Sequence, residues 1–169
     1  MRARYLLLAL LLLAVTALAS AGAVAELPLK ADRILVEKSR HRLTLFSGGR
    51  VLRRYRVALG VGGLRPKRRQ GDARVPEGHY VIDWRNPSSA YHLALHISYP
   101  DAADAAAAAA RDDNPGGDIM IHGLPNGFGA VGALHRRLDW TAGCIAVTDR
   151  EIEEIWQAVA DGTPIEIRP

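Results

Sequence analysis

Period-two alternation most narrows what this chain can become. Arg42 to Phe46 (RLTLF) alternates polar and apolar residues, and Val51 to Leu59 sets Val51, Tyr55, Val57 and Leu59 on one face. A helix repeats its apolar positions every three or four residues, so these runs read as half-buried strands. Arg33 to Glu37 (RILVE) is a shorter apolar run, and Lys38 to His41 suits the hairpin turn after it. Ser47-Gly48-Gly49 is a second turn, and Gly60 to Gly63 ends the third strand. Val75-Pro76-Glu77-Gly78 opens another strand, His79 to Trp84, which Asn86-Pro87-Ser88-Ser89 breaks. Tyr91 to Ser98 (YHLALHIS) and Thr163 to Arg168 (TPIEIR) alternate again.

Two segments depart from this pattern. Ala105 to Ala110 is an alanine run inside Pro100 to Asp113, which predicts a short, loosely packed helix ending at Asn114-Pro115-Gly116-Gly117. Ile152, Ile155, Trp156 and Val159 share one face of a helix from about Arg150 to Ala160, with Thr148 and Glu151 as a capping box. No repeat and no second composition regime interrupts the chain. The expectation is one mainly-β domain with a sandwich or barrel-like core, a short Ala-rich helix and one C-terminal amphipathic helix.

The N-terminus stands outside that domain. Arg2 and Arg4 precede an apolar run from Tyr5 to Leu18, followed by small residues through Ala23-Val24-Ala25. The run is shorter than the roughly 20 residues of a bilayer span, so residues 1–25 read as an export signal cleaved after Ala25. Ala19-Ser20-Ala21 is a second cleavage candidate, and an uncleaved anchor is the competing reading. The chain then meets a membrane only through this signal, during export to the periplasm or cell envelope. Loss of Arg2 and Arg4 brings the net charge of +4 to about +2, too little for a nucleic-acid binder. The charge is uneven, because Arg50 to Arg74 concentrates Arg and Lys around the single acid Asp72. That stretch is either a solvated face or a contact for anionic envelope polymers.

Cys144 is the only cysteine. It cannot form an internal disulfide, and a lone thiol in an oxidising compartment is either buried or used. A thiol nucleophile needs a base and oxyanion donors. Gly143 clears space before Cys144, the N–H groups of Gly143 and Cys144 are candidate donors, and Thr141 can brace the turn. His122 ends an apolar strand beginning near Asp118, and Gly123 or a nearby carbonyl can accept from its Nδ1–H, turning Nε2 toward the thiol. His135 is the competing base, less favoured because it lies in a loop beside Arg136 and Arg137. Asp139 can orient either ring, or cap, or pair with an arginine. His92 and His96 share one strand face about 13 Å apart, too far to share a metal, so they read with Tyr99 as groove residues. No metal or other cofactor is expected.

His122-Gly123, followed after a loop by Thr141-Ala142-Gly143-Cys144-Ile145, resembles the active-site motif of the L,D-transpeptidase (YkuD-like) catalytic domain. Val75-Pro76-Glu77-Gly78 resembles the family's Pro-x-Gly strand entry, and the resemblance runs from about Arg33 to Pro169. It implies a mixed β-sandwich acting on peptidoglycan stem peptides. Cys144 would attack the carbonyl between the L-centre of a diamino acid and a terminal D-alanine. His122 would serve as base, and an amine would resolve the thioester into a crosslink. With water as acceptor, the same site becomes a carboxypeptidase or endopeptidase. Loss of turnover would leave a wall-binding module. Three departures bear on the acceptor: Ala142 before Gly143, Ala146 where the family often has Arg or Asn, and 22 positions from His122 to Cys144.

Overall fold

The computed structural model describes residues 30–169, so the export-signal reading of residues 1–25 lies outside the described residues. Eight strands form one sheet: β1 (Arg33–Glu37), β2 (Arg42–Ser47), β3 (Arg50–Arg56), β4 (Gly78–Ser89), β5 (His92–Ile97), β6 (Met120–His122), β7 (Ile145–Ala146) and β8 (Pro164–Arg168). Their spatial order is β3-β2-β1-β8-β4-β5-β6-β7. β1–β8 and β6–β7 are parallel and the other pairs antiparallel. The sheet curls until its ends meet: Ala58, just past β3, bridges Ala146 of β7, and Gly60 bridges Thr141. The mainly-β expectation holds, in the form of a mixed sheet closed along a seam.

β4 carries the curl. Its first half, Gly78 to Val81, pairs with β8, and its second half pairs with β5. It runs straight through Asn86-Pro87-Ser88-Ser89, where the sequence predicts a break. The register shifts between Asn86 and Ser89, so Pro87 sits where the ladder needs no N–H. A second shift, between Leu45 and Phe46, corrects Val51. It stands opposite Phe46 and is 39% exposed, whereas Tyr55, Val57 and Leu59 are buried as expected. A one-residue slip moves a side chain to the other face.

Among the described residues the α-helices are α1 (Ala102–Ala109) and α2 (Asp149–Ala158). α1 starts on an Asp101/Asp104 capping box and buries only Ala108, as a run of methyl side chains predicts. α2 has the expected Thr148/Glu151 box and buries Ile152 and Ile155 against the sheet. Its N-terminal Asp149 accepts from the Leu124 N–H at 2.8 Å, which ties the chain just beyond β6 to the helix. A 3-10 segment, Gly129–Arg137, occupies the loop that the sequence leaves without structure.

Candidate active site

The parallel pair β6–β7 places the two candidate side chains, His122 and Cys144. Ile121 pairs with Ile145 and His122 with Ala146. Ile121 and Ile145 are fully buried in the core, so their neighbours Met120, His122 and Cys144 take the other face. Strand spacing and rise put Cys144 opposite Met120, with its Cα about 8 Å from that of His122 on the diagonal, within side-chain reach. Both side chains line one cavity of about 310 Å³.

His122 is oriented before any substrate arrives. Its Nδ1 lies 2.7 Å from the Gly123 carbonyl oxygen, an acceptor only, so Nδ1 carries the proton and Nε2 is left as the acceptor nitrogen. Two aromatic rings hold the imidazole: Tyr91 at 4.5 Å between centroids and Trp140 at 5.7 Å, edge-on. Burial pushes the imidazole pKa below its ordinary 6.5, partly offset by the Gly123 carbonyl. Burial likewise pushes the Cys144 thiol above its ordinary 9.0, partly offset by a hydrogen bond from the Met120 backbone. The thiol rests with Sγ 3.5 Å from the Asp118 carbonyl oxygen. At neutral pH the resting pair is thus a neutral thiol beside a neutral imidazole.

The turn before Cys144 is braced by Thr141. Its hydroxyl donates to the Cys144 carbonyl at 2.7 Å and accepts the Gly143 N–H at 3.2 Å. Of the two candidate donors, the Gly143 N–H is thus engaged inside the turn, which leaves the Cys144 N–H as the remaining candidate. Gly143 has a backbone reason to be glycine. Its φ is +124°, and a Cβ there would lie 2.8 Å from the Arg74 carbonyl oxygen. Gly143→Ala is therefore expected to cost about 2 kcal/mol or more, a fall in Tm of roughly 5–10 °C. Thermal unfolding measures it, and an unchanged Tm would contradict this account of the turn.

Other expected residues lie elsewhere. His135 is buried behind Trp140, whose indole N–H donates to its Nδ1 at 3.2 Å. It lines a separate apolar cavity with Phe128 and Val131. Among the described residues Asp139 orients neither His122 nor His135 and pairs with no arginine. It accepts from the Leu59 N–H at 2.8 Å and pairs with His41 at 3.0 Å. None of the three groove residues lines the Cys144 cavity. His92, at φ 67°, turns to Glu153 of α2 at 2.7 Å, so it no longer faces the same way as His96. His96 stacks on Trp84 and pairs with Asp83. Tyr99 is in the core, its hydroxyl donating to the Pro115 carbonyl. Ala146 is fully buried in the seam, where it exchanges both backbone hydrogen bonds with Ala58. The basic loop is folded on itself: the Asp72 carboxylate takes the buried Lys67 ammonium and the N–H groups of Arg68, Arg69 and Arg74. Sequence reasoning missed Tyr91, Trp140 and the Asp118 carbonyl. Trp140 directly precedes the Thr141 turn and was legible by position, whereas Tyr91 meets His122 only through the fold. Among the described residues no three His, Cys, Asp or Glu side chains converge as a metal-ligand set.

A curled mixed sheet thus brings a cysteine and a tautomer-fixed histidine into one cavity. The chain belongs to the L,D-transpeptidase catalytic domain family (YkuD), whose profile matches residues 31–167. It is 37% identical over 109 residues to YafK of Escherichia coli, covering 62% of this chain and 36% of that protein. The helical cell shape determining protein Pgp2 from Campylobacter jejuni is similar in fold, with TM-score 0.61 and 24% identity. That alignment covers 82% of this chain and 47% of Pgp2. An L,D-transpeptidase from Xylanimonas cellulosilytica gives TM-score 0.56 at 14% identity, over 83% of this chain and 61% of that one. The chain thus spans about a third of YafK and about half of Pgp2.

Proposed function

We propose that this chain is a cell-envelope L,D-transpeptidase in which Cys144 is the nucleophile and His122 the general base. The observation that carries the reading is the shared cavity, with the Nδ1–H of His122 committed to Gly123 and Nε2 available. The Cys144 sulfur attacks the carbonyl between the L-centre of a stem-peptide diamino acid and the terminal D-alanine, while His122 Nε2 takes the thiol proton. The Cys144 N–H stabilises the oxyanion. Collapse breaks the amide bond, and the imidazolium returns its proton to the departing D-alanine amine. An acceptor amine then attacks the thioester, again losing a proton to His122, and the thiol is restored with a new amide formed. Residues 1–25 direct export, and residues 33–169 form the catalytic domain. No cofactor enters this chemistry.

The acceptor is the point the site constrains least, because Ala142 and Ala146 bring no polar side chain to it. Incubation of the protein with a tetrapeptide stem and a free D-amino acid, followed by mass analysis, decides it. The expected product is the exchanged tetrapeptide. Tripeptide alone would make the protein a hydrolase, and unchanged tetrapeptide would leave a binding module.

A further inference from the structure

The solvent face that carries Cys144 does not end at the cavity. Trp84 of β4 pairs with His96 of β5, His96 pairs with Met120 of β6, and Met120 lies opposite Cys144. These four residues form one row across four strands, on the face that Ala94 and His122 share. Trp84 reaches that face only because of an irregularity. Tyr80 and Ile82 point into the core, and simple alternation would bury Trp84 with them. The register shift between Ile82 and Trp84 inserts Asp83 as an extra residue, which turns the indole outward.

The exposed ring is 41% accessible and held rigid. It stacks on the His96 imidazole at 4.9 Å and 20°, and His96 Nδ1 is 2.6 Å from Asp83 Oδ1. The inserted residue thus fixes the histidine that supports the ring. The Asp83 side chain is 38% exposed, and among the described residues its second oxygen makes no hydrogen bond or ion pair. A flat, immobile indole beside a carboxylate suits a pyranose ring: its C–H face stacks on the π-system, and its hydroxyls donate to the carboxylate.

Distance favours the same ligand. Three strand spacings separate Trp84 from Cys144, about 14 Å. A stem peptide has three residues between its sugar and the attacked carbonyl, about 10–11 Å when extended, and the lactyl ether adds the remainder. We propose that Trp84, supported by His96 and Asp83, is a saccharide subsite that seats the sugar bearing the donor stem while its diamino-acid carbonyl lies at Cys144. The proposal rests on the transpeptidase reading above.

The test compares a disaccharide-tetrapeptide with the bare tetrapeptide as donor, for wild type, Trp84→Ala and Trp84→Phe. Wild type is expected to show a KM about tenfold lower for the sugar-bearing donor. Trp84→Ala should erase that difference by raising only the sugar-bearing KM, with kcat unmoved, and Trp84→Phe should retain part of it. Adduct formation with a carbapenem and the Tm are followed in parallel for each protein. If wild type shows no preference, or Trp84→Ala keeps it, the subsite is overturned even while the carbapenem adduct upholds the thioester. If wild type forms no adduct, the transpeptidase reading fails first, and the saccharide subsite with it.

Discussion

Replacing Cys144 by alanine is expected to abolish covalent capture of a carbapenem-type acylating agent, read as the mass of the intact protein. The wild-type chain should gain one adduct, because it has one cysteine and the β-lactam carbonyl mimics the attacked amide. The loss is expected to be complete rather than partial, since the chain has no other thiol and the Thr141 hydroxyl of the same cavity is committed to the Cys144 carbonyl. Folding should survive: the Cys144 side chain is only partly buried, and the turn is held by Thr141 and the seam. An adduct on the alanine variant would remove Cys144 from the mechanism and point to a hydroxyl such as Thr141.

His122→Ala should slow the same acylation about 10²–10⁴-fold, the usual worth of a positioned base. His135→Ala should change it little, because Trp140 stands between His135 and the cavity. The reverse pattern would reassign the base. The pH profile supplies a second readout. Proton abstraction needs the imidazole neutral, and burial holds its pKa below the ordinary 6.5, so the acid limb should lie below pH 6.5. The thiol pKa is pushed above 9.0, so the rate should not climb with thiolate formation until the pH exceeds that value. An acid limb above pH 7 would mean that a different group titrates. Stability has the same sign as the acid limb. The unfolded chain takes up the His122 proton more readily than the folded one, so stability falls as pH drops below 6.5.

The sequence revealed the strands wherever alternation was long enough to show, as in Arg42 to Phe46. It also revealed the His-Gly pair and the Thr-x-Gly-Cys turn, since both are contiguous. It was silent about β7, because two residues, Ile145 and Ala146, carry no period of their own. They are a strand only because β6 lies on one side and Ala58 on the other. Val51 was misplaced, and the outward turn of Trp84 was not legible, for a shared reason: a single inserted residue in each ladder reverses the side chains beyond it, and no composition signal marks the insertion. Tyr91 escaped notice because its contact with His122 joins positions 31 residues apart.

The seam gives the proposed nucleophile an unusual mechanical standing. The Ala146 N–H bonds to the Ala58 carbonyl and the Val147 N–H to the His122 carbonyl, so the chain leaving Cys144 is stitched to both rims of the curled sheet. Reactive loops elsewhere commonly belong to the least stable part of a protein and open independently of its body. Here the thiol cannot drift from His122 unless the two rims part, and parting them dismantles the architecture itself. Heat should therefore silence this protein by melting it outright, with no earlier stage at which a folded body carries a disordered reactive centre.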